Sequence, residues 1–256
     1  MKVIFNADDF GYSMATNYGI VESAKRGVVR STSILTTSPY FEHAVELYHG
    51  GAAEYLGVGI HLNLMTGKPL NKGYKTLTDA NGNFYKHNLF DSNKDHFDLA
   101  EVESEFEAQI EKAEAAGIKL THIDSHYGIH MIDPLFQVAT KLAFKHDLPL
   151  RMVDKNRRNP LSRGIKTSDK FTGGFFAENA TLDYLVAYLD AKAADGIGLL
   201  EVLCRPAFVD LPLYSGTKYS MNRINEFAIL TSKELMTYIN NRGYELVGYD
   251  VLLDKE

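Results

Sequence analysis

A chain of 256 residues, 45% hydrophobic and 23% charged, has the composition of a soluble globular protein, and a single domain over residues 1–256 with a sizeable core is expected. The formal net charge of -6, with no long Lys/Arg run, gives nucleic acid or an anionic membrane surface nothing to bind. One cysteine, Cys204, excludes an internal disulfide and a thiolate metal cage; with no signal-peptide pattern and no stretch near the ~20 apolar residues of a membrane span, a cytoplasmic location is expected.

In chain order, the β-rich run at residues 3–6 predicts a first strand. Ser13 then caps a helix running to about Arg26 and stopped by Gly27. Strands are predicted at 33–36 and 56–62, followed by a long loop over 65–97 rich in Gly, Asn, Lys and Asp. A helix over 98–116 is acidic at its start and closed by Gly117. After a strand at 120–124, Asp133-Pro134 supplies a cap with proline at the first helical position. A strand at 148–153 leads into a second long loop, 154–174, rich in basic residues and glycine. A strand at 199–203, a helix opened by Thr231 and ending near Arg242-Gly243, and a strand at 245–249 complete the series.

About seven short strands separated by amphipathic segments predict an α/β fold with a mainly parallel sheet, specifically a distorted or incomplete TIM-like (β/α) barrel. The turn after the first strand, Ala7-Asp8-Asp9-Phe10-Gly11, has no glycine cradle for a pyrophosphate and argues against a dinucleotide-binding sheet. Both long loops follow strands, where barrels place substrate contacts.

Polar residues out of keeping with apolar surroundings sit where predicted strands end. Asp8 and Asp9 close the first, His61 and Asn63 the third; His122, Asp124 and His126 punctuate the fourth, and Arg205 follows the sixth. In a parallel barrel those ends share one rim, so residues far apart in sequence converge. Two histidines and a carboxylate are a frequent ligand set for a catalytic divalent cation such as zinc or magnesium, leaving positions for water and substrate; Asp9, His61 and His126 are the candidates. Adjacent side chains on an extended backbone point to opposite sides, so Asp8 and Asp9 are not expected to be equivalent ligands unless the chain turns there. Asp8 would then address the water, and metal-dependent hydrolysis is the reaction such a site suits best. Blander readings stand beside these. Asp8-Asp9 could cap the segment near Ser13, and Asp124 could orient a histidine. His130 shares a face with His126 only if the chain there is helical, and His43, His49, His87, His96 and His146 read as structural or surface residues.

The segments Asn6-Ala7-Asp8-Asp9-Phe10-Gly11, Gly59-Ile60-His61-Leu62-Asn63-Leu64, Thr121-His122-Ile123-Asp124-Ser125-His126 and Leu200-Glu201-Val202-Leu203-Cys204-Arg205-Pro206 together resemble the YdjC-like carbohydrate deacetylases, or chitooligosaccharide deacetylase family. The matches keep the family's order over nearly the whole chain. The resemblance implies a distorted TIM-like barrel that removes an N-acetyl group from an amino sugar, typically an acetylated chitooligosaccharide or its 6-phosphate. It carries metal ligation onto Asp9, His61 and His126 and the base onto Asp8, and it makes Arg151 similar to an arginine that pairs with that base. Asn63 is expected to contact substrate.

Two departures from the family pattern bear on the chemistry. Tyr127-Gly128 stands where further histidines are usual, leaving His130 as the candidate acid, and the family's Cys-His-Pro reads Cys204-Arg205-Pro206. Arginine does not give up a proton near neutral pH, so Arg205 is expected to stabilise an oxyanion or bind a substrate phosphate instead. Two other readings fit the same residues: a sugar-phosphate isomerase or lyase using the metal to polarise a carbonyl, and a sugar-binding homologue without activity. Size and class leave room for a homodimer.

Overall fold

The computed structural model describes residues 1–85 and 97–253. Its centre is β1 (Lys2–Phe10), in which every residue after Lys2 is buried, as a strand covered on both faces requires. β1 pairs in parallel with β2 (Ser31–Ile34) on one side and β6 (Leu199–Cys204) on the other. Beyond β2 lie β3 (Gly57–Leu62) and β4 (Leu120–Ser125); beyond β6 lies β5 (Lys170–Thr172). The two-residue β7 (Glu245–Leu246) pairs with the start of β1, and all the ladders are parallel. The sheet curls into a half-barrel with helices around it, an incomplete TIM-like barrel, and its strands point their C-terminal ends to one rim.

The helices start and stop where local chemistry directs. In α1 (Met14–Arg26) the Ser13 side chain accepts from Thr16 N, and Gly27 ends the helix where a Cβ would stand 2.2 Å from the Leu230 carbonyl oxygen. α2 spans Phe41–His49. α3 (Leu99–Ala115) is capped by Asp98, and its Glu101 and Glu105 accept backbone N–H groups at Lys75, Thr76, Leu70 and Asn71, which fixes the irregular segment before it. α4 (Leu135–Lys145) begins after Pro134 without a side-chain cap from Asp133. There follow α5 (Asp154–Arg157), α6 (Leu182–Ala194), α7 (Leu211–Gly216), α8 (Asn222–Leu230) and α9 (Lys233–Arg242).

Four expectations need correction. Residues 148–153 form no strand: Leu150 makes one parallel bridge to Ile123, and its N–H donates to Lys166 across the connection. The supposed loop 154–174 instead holds α5 and β5, which pairs with β6 through Lys170, Phe171 and Thr172. Ser232 rather than Thr231 caps α9, because Thr231 ends α8, a helix the sequence did not announce. The last strand stops at Leu246, and Tyr249 turns inward to stack on the His122 ring at 3.9 Å. Of the expected loop 65–97, residues 86–96 lie outside the described residues; 65–85 is irregular apart from a Thr78–Phe84 bridge. No helix among the described residues is long and apolar enough to cross a membrane.

Candidate metal centre

The end of β1 is irregular. Its register against β2 shifts between Ala7 and Phe10, and Asp9 takes φ 77°, a left-handed conformation uncommon for a residue with a side chain. That turn cancels the strand alternation, so Asp8 and Asp9 both face the rim. His61, near the end of β3, brings Nε2 to 3.5 Å from Asp9 Oδ1; His126, the residue after β4, brings Nδ1 to 3.0 Å from the same oxygen. Asp9 Oδ1 is buried and has no hydrogen-bond partner although two imidazole nitrogens face it. Donors bound to one divalent ion at about 2.1 Å lie about 3.0 to 3.4 Å apart at right or tetrahedral angles, close to the 3.0 and 3.5 Å that separate Asp9 Oδ1 from His126 Nδ1 and His61 Nε2. The donor set fits a divalent metal, and Asp9, His61 and His126 could hold it.

The surroundings favour the same conclusion. His61 Nδ1 lies 2.7 Å from Asp124 Oδ1 and 3.1 Å from Ser33 Oγ, which fixes the ring and turns Nε2 toward Asp9. Burial works against a charge on His61, but Asp124, then Asp9 and Asp8, outweigh it and carry its pKa up to about 10: the pocket demands positive charge at this point. Burial would raise the Asp9 pKa; Arg223 and His126 hold it well below the usual carboxylate range.

Beneath the three donors lies a buried ion network. The Arg151 guanidinium, 1% exposed, donates to Asp8 Oδ1 and Oδ2 at 2.9 and 3.1 Å and to Glu201 Oε1 at 2.7 Å, and lies 2.8 Å from Asp124 Oδ2. Asp8, His61 and Asp124 also come together as a group that could take a cation, but Arg151 already bonds both carboxylates. Arg205 stands on the more open side, its guanidinium 3.9 Å from Asp8 Oδ2 and 4.0 Å from Asp9 Oδ2. Three carboxylates, Asp8, Asp9 and Asp124, thus stand among the guanidinium groups of Arg151, Arg205 and Arg223, while burial raises the pKa values of Glu201 and Glu226 beside them.

Residues 2–241 match the model of a family described as YdjC-like protein. Carbohydrate deacetylase from Clostridium beijerinckii is 37% identical over 97% of this chain and 99% of its own length, and carbohydrate deacetylase 1 from Listeria innocua is 40% identical over the same shares. The chain belongs to the YdjC-like family. A relative of known structure, a candidate cellobiose-phosphate cleavage protein of Enterococcus faecalis V583, superposes with a TM-score of 0.91 at 36% identity over 99% of both chains. The Xyl-CE4 domain of a xylanase from the hindgut metagenome of Trinervitermes trinervoides, at 9% identity and a TM-score of 0.51 over 98% of this chain and 88% of that one, shares the fold alone.

The YdjC-like centre gathers Asp8, Asp9, His61, His126, Arg151 and Arg205, but not His130 or Asn63. His130 is fully buried below the rim, with Nδ1 against Ser125 Oγ and Nε2 2.9 Å from the Arg151 carbonyl; burial pushes its pKa down to about 4. It is neutral, engaged at both nitrogens, and out of reach of a ligand. Asn63 spends its side chain on its own loop, donating to Thr37 Oγ1 and the Thr66 carbonyl at 2.8 Å and accepting from Met65 N at 2.8 Å. His122 is also neutral, its pKa lowered to about 3 by burial; a Cβ on Gly59 would lie 2.3 Å from its ring, which explains the glycine two residues before His61.

Sequence reasoning missed three residues. Arg223 donates to Asp9 Oδ2 at 2.8 Å, and Glu226 accepts from both Arg205 N and the Tyr219 hydroxyl. All three lie at or just before α8, between the strands predicted at 199–203 and 245–249 and away from the end of either; the signal was charged residues at 223 and 226 in an otherwise moderately apolar helix.

Proposed function

We propose that this YdjC-like protein is a metal-dependent carbohydrate deacetylase that hydrolyses the N-acetyl group of an amino sugar to acetate and a free amine. The observation that carries the reading is the unpartnered Asp9 Oδ1 facing His61 Nε2 and His126 Nδ1 at 3.5 and 3.0 Å. The relatives named carbohydrate deacetylase support it.

In this scheme Asp9, His61 and His126 hold the ion. A divalent cation there would polarise the acetamide carbonyl and acidify a water. Asp8 accepts the water's proton; Arg151 orients its carboxylate through two charge-assisted hydrogen bonds. Water adds to the carbonyl carbon, the C–N bond breaks, and the proton held by Asp8 passes to the departing nitrogen, so one carboxyl group serves as base and then acid. This replaces His130 as donor, whose two nitrogens are already committed. Arg205, 23% exposed in its side chain, offers positive charge to the developing oxyanion or to an anionic substituent. An acetylated chitooligosaccharide or its 6-phosphate suits that combination.

The test is acetate release from N-acetylglucosamine oligomers, with and without a 6-phosphate, after chelation and after return of Zn²⁺ or Mg²⁺. Release that disappears on chelation and returns with the ion is expected. Release unaffected by exhaustive metal removal, or none from any of these sugars, would overturn the reading.

A further inference from the structure

Arg223 is 4% exposed and locked before any ligand arrives. Its Nε donates to the Tyr219 carbonyl at 2.9 Å, its Nη2 donates to Asp9 Oδ2 at 2.8 Å, and the guanidinium lies over the Tyr12 ring at 5.7 Å. Glu226, one turn further along α8, ties the Tyr219 hydroxyl to the backbone of Arg205, so the segment carrying the guanidinium is braced against the rim. The two oxygens of Asp9 are thereby divided. Oδ2 is held in a charge-assisted bond, while Oδ1 alone points between His61 and His126.

A carboxylate beside a divalent cation can bind through one oxygen or chelate through both, and chelation takes a position that water or substrate would use. Swinging Asp9 Oδ2 onto the ion would break a buried charge-assisted hydrogen bond, among the strongest a side chain makes. We propose that Arg223 is a positioning residue that holds Asp9 as a one-oxygen ligand, keeping the remaining positions open for water and the acetamide. The proposal rests on the reading of Asp9, His61 and His126 as the metal site. It also fixes a sign: a guanidinium so close to a bound cation opposes it electrostatically, so Arg223 favours turnover at the expense of metal affinity.

The experiment uses the full chain loaded with Co²⁺, whose visible absorption reports coordination number. Arg223→Met should bind Co²⁺ and Zn²⁺ at least as tightly as the parent protein, show the weaker visible bands of a higher coordination number, and lose about 10- to 100-fold in kcat. Arg223→Lys, which keeps a donor and a positive charge for Oδ2, should retain the parental spectrum and recover most of the turnover. If Arg223→Met does not fold, Arg223→Leu, which likewise lacks a donor, takes its place with the same expectations. A parental Co²⁺ spectrum in the neutral variant, or metal affinity falling in parallel with kcat, overturns the proposal. Asp9→Asn separates this failure from that of the metal reading: undiminished metal binding in Asp9→Asn sinks the metal site itself, whatever Arg223 does.

Discussion

Replacing Asp124 by Asn should cost metal affinity through the proton on His61. Asp124 Oδ2 faces three donors, Ser33 Oγ at 2.8 Å, Arg151 Nη1 at 2.8 Å and Asn6 Nδ2 at 3.4 Å, whereas Oδ1 faces only His61 Nδ1 at 2.7 Å. Asparagine offers one oxygen and one NH₂ group in the same shape. Its oxygen belongs at the Oδ2 position, where three donors, one of them charged, must be met; its NH₂ group then falls against His61 Nδ1. A donor there forces the proton onto Nε2, the nitrogen 3.5 Å from Asp9 Oδ1, and removes the lone pair an ion would use. Loss of such an orienting partner costs about 10- to 100-fold in metal affinity, and the tautomer change puts this variant near the upper end, about 2.7 kcal/mol. The assay is competition for Zn²⁺ against a chromophoric chelator, alongside ¹⁵N NMR of the His61 ring. A folded Asp124→Asn protein with a Zn²⁺ dissociation constant within twofold of the parent, and the proton still on Nδ1, would refute the reasoning.

Asp8→Asn should keep metal, because Asp8 is not among the three donors, yet lose about 10² to 10⁴ in kcat as the proton acceptor goes; initial rates of acetate release with metal analysis on the same sample check it. His126→Ala should lose ion and turnover together, read by the same pair of measurements. Arg205→Met should raise KM or lower kcat by about 10-fold or more without changing metal content, since its guanidinium stands about 4.0 Å from Asp8 and Asp9 rather than among the donors. His130, buried and neutral with its pKa depressed from 6.5 to about 4, contributes stability that is fully present above about 6.5 and is lost as pH falls through about 4. That loss amounts to about 3 kcal/mol, and His130→Gln should flatten the decline over this window in denaturant titrations at stepped pH. An unchanged slope would show that His130 is not the titrating group.

The half-barrel was legible because its strands are short apolar runs between capped helices, and Ser13, Asp98 and Gly27 mark ends that the structure keeps. What went unread was pairing at the margins. Residues 148–153 have the composition of a strand, but Leu150 donates to Lys166 instead of continuing a ladder, while Lys170–Thr172, too short to stand out, completes the far edge beside β6. Composition reports propensity; which segment reaches the sheet depends on chain geometry that propensity does not contain.

In the centre, residues at strand ends could be read because a parallel barrel brings those ends to one rim, a rule that needs no side-chain detail. His130 and Asn63 failed on orientation. Both lie near the rim in sequence, but the left-handed turn at Tyr127 and Gly128 carries the chain so that His130 packs inward against Ser125, and Asn63 folds back onto the Thr66 loop. Arg223 failed for a different reason. It reaches Asp9 from a helix 214 residues away, and only the folded chain shows that the carboxylates of Asp8, Asp9 and Asp124 are met by guanidinium groups from three distant points of the sequence. Burial works against a charge on His61, yet Asp124, then Asp9 and Asp8, carry its pKa up to about 10, so this point of the centre favours positive charge. That demand and the nearness of Asp9 Oδ1 to His61 Nε2 and His126 Nδ1 are separate observations, one of charge and one of distance, and the proposed divalent cation would answer both.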